Sequence, residues 1–160
     1  MEYVVRYLLL ILLALPASAL ETLKPGDKVD DFTMLSVNGF GQRLTEVRGQ
    51  PLMLIWLDRC NACSETLARY QLLAESLEID GLLGWFVWVP EGDDEPPKMR
   101  LPVLRYEAKW QQSWLFEPRP AVMLISPDGV LDHLIIGDLD ESYGEVEATM
   151  MRWISDVRDQ

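Results

Sequence analysis

The chain has 160 residues, and 49% of them are apolar, which is enough for one domain with one hydrophobic core. It carries 26 acidic and 14 basic side chains, so its formal net charge is −12. A surface this acidic repels phosphate backbones, which argues against nucleic acid as a partner.

The amino-terminal segment has the pattern of a signal peptide. Arg6 precedes an apolar run over residues 7–15, and Ala-Ser-Ala at 17–19 supplies the small side chains that a signal peptidase requires. The run is too short to cross a bilayer comfortably. We therefore predict a cleaved signal peptide over residues 1–19, a single domain over residues 20–160 and a location in the periplasm, where disulfides form. The alternative is an uncleaved membrane anchor.

The first predicted elements of the domain are short strands and turns. After a turn-rich start, a strand is predicted over residues 32–37, and Asn38-Gly39 is a strong turn signal. A polar connection over residues 43–51 follows. The apolar run over residues 51–57 then has the length and composition of a strand that is buried on both faces.

A strand, a helix and a second strand follow one another around the only two cysteines, Cys60 and Cys63. The helix is predicted to end at Gly81, and the second strand to cover residues 82–89. Buried strands joined in this way form a βαβ unit, in which the strands are parallel. The helix residues that recur at spacings of three and four, and that are expected to face the core, are Cys63, Leu67, Tyr70, Leu73, Ala74 and Leu77.

The second half of the chain predicts a loop, a hairpin and a closing helix. Residues 90–100 are acidic and rich in proline, which favours a loop, and a short helix is predicted within residues 106–116. Two strands joined by a Pro-Asp-Gly turn then form a β-hairpin. An amphipathic helix closes the chain, with Ser142 and Glu145 at the spacing of a capping box.

The position of Cys60 and Cys63 between a strand and a helix favours redox chemistry. Free backbone N–H groups and the positive end of the dipole at a helix N-terminus stabilise a thiolate, which lowers the pKa of the thiol. Cys60 is therefore the expected nucleophile, with Arg59 as a neighbouring positive charge. Cys63 follows one turn later, within reach to close a small disulfide. We predict that the pair works in thiol–disulfide exchange.

Other interpretations of the cysteine pair stay open at this point. A structural zinc site needs about four ligands. The chain offers one histidine besides the cysteines, His133, which is predicted to be a half-exposed strand residue, so no complete metal site is expected. Two thiolates alone can still capture Cu(I). A disulfide that only staples the fold would close a very short loop and stabilise it little.

Residues on both sides of the cysteines match the pattern of a known family. Trp56 stands four residues before Cys60, and the segment RPAVMLISPDGVL contains Pro120 at the start of a predicted strand. On these features the sequence resembles the thioredoxin-fold proteins of the extracytoplasmic TlpA/ResA-like branch, over roughly residues 25–154. The resemblance implies an α/β fold with a central mixed β-sheet flanked by helices. The entry pattern of the branch is matched by Asp31, Phe32, Asn38, Gly39, Leu44, Gly49 and Pro51.

The resemblance implies a thiol–disulfide oxidoreductase, usually a disulfide reductase, that needs no cofactor. Cys60 would attack a substrate disulfide and Cys63 would resolve the mixed disulfide, which leaves a Cys60–Cys63 disulfide. Pro120 would be a cis-proline beside the pair, the alternative being an ordinary trans-proline; Arg119 would border the site and Trp56 would support it. The implied partners are protein disulfides and a membrane protein that donates electrons. The alternative function is a non-catalytic module that binds Cu(I) or docks to a redox or cytochrome-maturation partner.

Some positions depart from the pattern of the family. Leu54 stands where many thioredoxins have a buried acid, Arg59 stands where a tryptophan is common, and the dipeptide between the cysteines is Asn-Ala. The base that deprotonates the second cysteine is therefore left open, with Asp58 and Glu65 as the nearest carboxylates in the sequence. The loop over residues 90–100 replaces a helix that the family has between its strands.

Overall fold

The computed structural model describes residues 23–57, 64–90, 92–106 and 120–159. In these ranges the chain forms one seven-stranded sheet, two α-helices and two short 3₁₀ helices. The strands are β1 (Thr33–Ser36), β2 (Gly41–Arg43), β3 (Leu52–Trp56), β4 (Leu83–Trp88), β5 (Val103–Arg105), β6 (Ala121–Ile125) and β7 (Leu131–Ile136). The helices are α1 (Ser64–Ser76) and α2 (Leu139–Arg158), and the 3₁₀ helices are Leu44–Val47 and Glu78–Asp80.

The sheet is mixed, with the strand order β2-β1-β5-β4-β3-β6-β7. Strands β3, β4 and β5 are parallel to one another, whereas β1, β6 and β7 pair antiparallel with their neighbours. Parallel neighbours need a crossover connection, and α1 supplies it between β3 and β4. The predicted βαβ unit and the mixed sheet flanked by helices are both confirmed.

The buried strand β3 separates two apolar clusters. Successive side chains of a strand point to opposite faces, so Met53 and Ile55 lie on one face and Leu54 and Trp56 on the other. On the first face the cluster includes residues of α1 and α2. On the second face Val29 and Phe32, which precede β1, cover the sheet. All five residues of β3 are buried, as its continuous apolar run predicts.

Helix α1 buries the predicted face, but it ends earlier than predicted. Of the six residues predicted to face the core, Cys63 lies outside the described ranges. The chain leaves the α-helix after Ser76 and makes the 3₁₀ helix Glu78–Asp80, which Gly81 closes with a φ of 89°. Glycine adopts this left-handed conformation without a steric penalty, so Gly81 ends the extension rather than the helix itself. The five predicted core-facing residues of the helix that lie within the described ranges are all buried: Leu67, Tyr70, Leu73, Ala74 and Leu77.

Helix α2 begins at Leu139, so the predicted capping box at Ser142 and Glu145 is wrong. Asp138 is the N-cap, and its carboxylate accepts from the backbone N–H groups of Asp140 at 2.8 Å and Glu141 at 3.1 Å. A carboxylate at the N-cap satisfies free donors of the first turn and interacts favourably with the helix dipole. The helix therefore starts at the first good cap after β7.

Two short strands and a 3₁₀ helix are absent from the sequence predictions. Strand β2 and the 3₁₀ helix Leu44–Val47 occupy the segment predicted as a polar connection. Strand β5 follows the predicted loop and fills the gap between β1 and β4. Strands of three residues are too short for an alternating pattern to be recognised in a sequence. The positions of these strands are determined by the strands with which they pair in the sheet.

Both predicted turns are confirmed. Gly39 has a φ of 93° and closes the turn between β1 and β2, where the backbone N–H of Ser36 donates to the carbonyl oxygen of Phe40 at 2.7 Å. Gly129 has a φ of 81° in the turn between β6 and β7. Non-glycine residues rarely adopt such angles, which is why the turn signals were informative.

Several predictions concern residues outside the described ranges. They are the signal peptide over residues 1–19, both cysteines, and most of the short helix within residues 106–116. Within the ranges that the structure does describe, no helix combines the length and the apolar character needed to cross a membrane.

Candidate active site

Three strand ends and two helix starts meet at one edge of the sheet, which we call the site edge. Trp56, the last residue of β3, pairs with Ala121, the first residue of β6, and Ala121 pairs with Ile136 at the end of β7. Helix α1 begins at Ser64, soon after β3, and α2 begins soon after β7. The two helices run side by side in the same direction, since Arg158 at the end of α2 contacts Asp80 after α1 at 3.1 Å.

The predicted site residues that carry the chemistry lie outside the described residues. They are Cys60, Cys63, Arg59 and Arg119. Residues 58–63 connect the end of β3 to the start of α1, and Arg119 is bonded to Pro120. The Cys60–Cys63 disulfide and the roles of the four residues stay predictions.

Trp56 lies beneath the site edge, on the face of the sheet opposite the helices. Its side chain is only 1% exposed, and its indole N–H donates to the Sδ of Met123 at 3.1 Å. Its ring meets that of Tyr106 edge-on, with centroids 5.9 Å apart and an interplanar angle of 62°. A large ring held on two sides fixes the end of β3, from which the cysteine segment departs.

Pro120 stands at the start of β6, directly beside the end of β7. It is half-buried, and its carbonyl oxygen accepts from the backbone N–H of Gly137 at 3.0 Å. This hydrogen bond continues the pairing of β6 and β7 up to the site edge. The predicted cis bond joins Pro120 to Arg119, which is outside the described ranges, so the cis isomer stays a prediction.

The first turns of α1 and α2 are joined by polar contacts that the sequence analysis missed. Thr66 Oγ1 and Arg69 Nη1 both donate to Oδ1 of Asp140, each at 3.2 Å. The guanidinium of Arg69 also lies 3.9 Å from the centre of the Tyr143 ring. These residues are more than 70 positions apart in the sequence, and the incorrect capping box hid the start of α2. The signal for this helix start in the sequence was the acidic cluster from Asp138 to Glu141, which follows a predicted strand.

Tyr70 anchors the two helices from below these contacts. Its hydroxyl group donates to the carbonyl oxygen of Leu139 at 2.9 Å and lies 3.5 Å from Oγ of Ser142. Its ring packs edge-on against that of Tyr143, with centroids 5.2 Å apart. Burial of the phenol raises the pKa of Tyr70, because the charged phenolate would lose its hydration. Tyr70 therefore stays protonated and serves as a hydrogen-bond donor.

Solved structures of low sequence identity share this architecture. A thiol:disulfide interchange protein from Bacteroides sp. matches with a TM-score of 0.66 at 14% identity, over 84% of this chain and 93% of that one. The thioredoxin domain of a thiol-disulfide oxidoreductase from Bacteroides vulgatus matches with a TM-score of 0.63 at 16% identity, over 80% and 99%. The exposed lipoprotein thioredoxin of Streptococcus pneumoniae strain TIGR4 gives 0.61 at 18%, over 79% and 99%. No family model matches the sequence, and no curated protein does either.

The chain has a thioredoxin-like fold. The fold class implied by the resemblance is therefore confirmed. In this fold α1 begins at the site edge, and β6, which follows Pro120, lies next to β3.

Position 54 of the thioredoxin-like fold is apolar here. Leu54 is fully buried in the cluster that also holds Trp56 and Met123, on the face of the sheet away from the helices. It offers no group that binds a proton. Glu65, one of the two carboxylates considered from the sequence, is exposed in the first turn of α1, and Asp58 lies outside the described ranges.

The described part of the chain holds no cluster suited to a metal ion. Among these residues, no three histidine, cysteine or acidic side chains come together as a group. His133 is half-exposed on β7, as predicted, and pairs with Leu124 in the interior of β6 rather than at the site edge.

Proposed function

We propose that the protein is an extracytoplasmic thiol–disulfide oxidoreductase that uses Cys60 and Cys63 as its redox pair. The observation that supports the proposal is the thioredoxin-like fold of the described residues, in which the fully buried strand β3 and helix α1 are the elements before and after both cysteines in the sequence. A cysteine before a helix N-terminus gains stabilisation of its thiolate from the helix dipole and the free N–H groups. The proposal therefore assigns the nucleophile to Cys60.

The proposed reaction reduces a disulfide in a protein substrate. The Cys60 thiolate attacks one substrate sulfur, forms a mixed disulfide and displaces the other substrate sulfur as a thiolate, which takes up a proton. Cys63 then loses its proton and attacks the sulfur of Cys60. The substrate sulfur that was bonded to Cys60 leaves with the electron pair of that bond and takes up a proton. The substrate is reduced by two electrons and the protein is oxidised to the Cys60–Cys63 disulfide.

The other predicted site residues have supporting roles in this proposal. Trp56 holds the end of β3 in place, and Pro120 presents the start of β6 to an extended substrate chain. Arg59 and Arg119 supply positive charge that favours the Cys60 thiolate. A membrane protein that donates electrons returns the disulfide to the dithiol.

The proposed location is the periplasm or another extracytoplasmic space. The predicted signal peptide over residues 1–19 supports it, and so does the name of one structural neighbour, an exposed lipoprotein thioredoxin. The intact mass of the protein, recovered from cells that export it, shows whether the chain is cleaved after Ala19 or keeps residues 1–19 as an anchor.

Reduction of a protein disulfide by the purified protein tests the proposed function. We expect catalysed reduction of insulin with a dithiol as the electron source, and only the background rate with Cys60→Ser. Cys63→Ser should instead accumulate a mixed disulfide with the substrate, because the resolving thiol is missing. Full activity of Cys60→Ser would overturn the proposal. Tight one-to-one Cu(I) binding without any exchange activity would overturn it in favour of a copper-binding module.

A further inference from the structure

The hairpin of β1 and β2 carries a group of exposed apolar side chains. Leu35 is 50% exposed, Val37 is 43% exposed and Phe40 is 72% exposed. The structure describes seven exposed large apolar side chains, and these three lie within six consecutive residues. A single exposed apolar side chain is ordinary, whereas a group of them marks a surface that a partner covers.

A groove separates this hairpin from the loop over residues 92–102, and we call it the hairpin groove. It consists of two open clefts, of about 620 and 430 Å³. Both clefts are lined by Ser36, Val37, Glu95 and Pro96. Because they share these residues, the two clefts form one continuous depression.

The smaller cleft is lined by a row of three residues from three neighbouring strands. Trp88 of β4 pairs with Arg105 of β5, and Arg105 pairs with Leu35 of β1. Paired residues point to the same face of a sheet, and Trp88 packs against the cluster on the face that carries the helices. Neighbouring strands are about 4.8 Å apart, so the row spans about 10 Å, the length of about three residues of extended chain.

The row ends at the site edge. Trp88 follows Val87, which pairs with Trp56 at the end of β3. Since β4 and β5 run parallel to β3, their last residues, Trp88 and Arg105, lie at the same edge of the sheet as Trp56. A segment of chain in the smaller cleft is therefore next to the site edge.

The charges around the smaller cleft favour a basic occupant. The loop side of this cleft carries Asp94 and Glu95, and the exposed Asp93 precedes them. Arg105 is the single basic residue among the described residues that line the cleft, and its guanidinium lies 5.8 Å from the centre of the Trp88 ring. The acidic side chains therefore outnumber the basic one at this end of the groove.

The charge of the whole chain favours the same occupant. The formal net charge is −12, so a second copy of the chain is repelled from the groove, whereas a basic segment is attracted to it. The basic residues of the larger cleft change this little. Arg100 is paired with Glu75 at 2.6 Å, and the charge of Lys98 is offset by that of Glu95, which lines both clefts.

We propose that the hairpin groove docks an extended, basic segment of the protein substrate. An apolar side chain of this segment packs on Leu35 and Val37, and lysine or arginine side chains face Glu95. The apolar contact supplies affinity, and the acidic loop selects the sign of the charge. The role in substrate docking rests on the proposed function, whereas binding of the segment does not. Docking here holds the rest of the substrate beside the site edge.

Fluorescence anisotropy with a labelled synthetic peptide tests the groove directly. The peptide has two leucines at alternate positions, which face the same side of an extended chain, with lysines around them and serines at both ends. One companion peptide has glutamate in place of lysine, and a second has serine in place of leucine.

Each variant of the groove has a matched control. Leu35→Gln is compared with Leu72→Gln, the same change at a leucine of α1 that is 59% exposed. Glu95→Gln is compared with Glu145→Gln, which removes an exposed carboxylate from α2. Urea unfolding of each variant verifies that it is folded, as expected for changes at four surface positions.

We expect the wild type to bind the lysine–leucine peptide, and to bind both companion peptides about 10-fold more weakly. Leu35→Gln should raise the Kd about 5–10-fold, because it removes apolar area from the contact. Glu95→Gln should raise the Kd about threefold at low salt, and the difference should disappear at high salt, where exposed charges are screened. Leu72→Gln and Glu145→Gln should bind the peptide like the wild type.

Three results of the binding measurement overturn the inference. They are a Kd of the wild type above about 1 mM, equal binding of the lysine and glutamate peptides, and equal weakening by Leu35→Gln and Leu72→Gln. None of them depends on whether the protein reduces disulfides.

The link to the substrate is tested with a disulfide built into each peptide. The wild type should reduce the basic peptide with a lower KM than the acidic one, at a similar kcat, and equal KM values would overturn the docking role. If neither these peptides nor insulin is reduced, the proposed function fails instead, and the binding measurement still decides whether the groove takes a basic segment.

Discussion

The face of the sheet that carries the helices is built in two different ways. Over β3, β4 and β6, side chains of α1 and α2 form one buried cluster with the strands, and we call this the helix-covered half. Beyond it, beside β5 and β1, residues 92–102 run as a loop without a described helix, and we call this the loop-covered half. The chain thus crosses once by a helix, between β3 and β4, and once by a loop, between β4 and β5.

The two halves differ in how completely they exclude water. Met53, Ile55 and Met150 of the helix-covered half are fully buried. In the loop-covered half Leu35 is 50% exposed, and an open cleft of about 620 Å³ separates the loop from the hairpin of β1 and β2. The site edge lies at the end of the helix-covered half. The difference suggests that dense packing is concentrated where the proposed chemistry needs fixed geometry, and the following variants test it.

The largest effect is expected when a buried side chain of α2 is removed from the core. Met150→Ala should lower the free energy of unfolding by about 2–5 kcal/mol, because a buried methionine leaves a cavity that the rigid surroundings cannot fill. The matched change in the loop-covered half is Leu101→Ala, which should cost about 1 kcal/mol since Leu101 is only half-buried. Urea unfolding measures both. Equal losses would show that the two halves are packed alike.

The second prediction concerns the line where the two halves meet. A Cβ added at Gly84 would lie 2.8 Å from Cβ of Ala74 on α1 and 3.0 Å from Cδ1 of Leu101 on the loop. Gly84→Ala should therefore destabilise the protein by about 1–3 kcal/mol through overpacking. Gly144→Ala is the control, because Gly144 is exposed on α2 with open space around it and alanine favours helices. It should be neutral or stabilise by up to about 1 kcal/mol, and a stabilising Gly84→Ala would contradict the close approach.

The third prediction removes one anchor between α1 and α2. Tyr70→Phe deletes the hydroxyl group that donates to Leu139 and should lower the free energy of unfolding by about 1 kcal/mol, the usual value of one hydrogen bond. The ring and its packing against Tyr143 are kept. Urea unfolding near pH 7 measures the loss. An unchanged stability would mean that Tyr70 anchors the helices only by packing.

The same variant has a signature at high pH. Since burial raises the pKa of Tyr70 in the folded protein, the unfolded chain loses this proton first as the pH rises. The contribution of protonated Tyr70 to the free energy of unfolding is complete below about pH 10, the ordinary pKa of tyrosine, and is lost at higher pH. We therefore expect the stability of the wild type to fall above about pH 10, and the fall to be shallower in Tyr70→Phe. Tyr143 contributes to the same loss of stability at high pH, because its pKa is raised too.

Sequence patterns determined the parts of the fold that depend on one element at a time. The continuous apolar run of β3 and the three-and-four spacing of Leu67, Tyr70 and Ala74 each predict burial without reference to the rest of the chain. The Asn38-Gly39 turn is local in the same sense. These predictions were confirmed because the hydrophobic periodicity and the turn geometry are both encoded within a few residues.

Features that depend on distant partners could not be predicted in this way. Strand β5 is three residues long, and its place is determined by β4 on one side and β1 on the other. The contact of Thr66 with Asp140 joins two helix starts that are neighbours only after the sheet has formed. For the candidate site, the roles of the cysteine pair and Pro120 stay predictions, whereas the Asp140 carboxylate that contacts α1 comes from the far end of the chain.

The smallest expected effect concerns the attachment of the loop to α1. Arg100 forms a two-point ion pair with Glu75, at 2.9 and 2.6 Å, while its backbone N–H donates to Oε1 of the buried Gln71 at 2.8 Å. The Arg100 side chain is 68% exposed, so Arg100→Gln should cost at most about 1 kcal/mol, and less at high salt. Gln71→Met leaves the backbone donor of Arg100 without its partner and should cost more than Arg100→Gln. If Arg100→Gln were the more damaging change, surface charge rather than the buried amide would hold the loop against the helix.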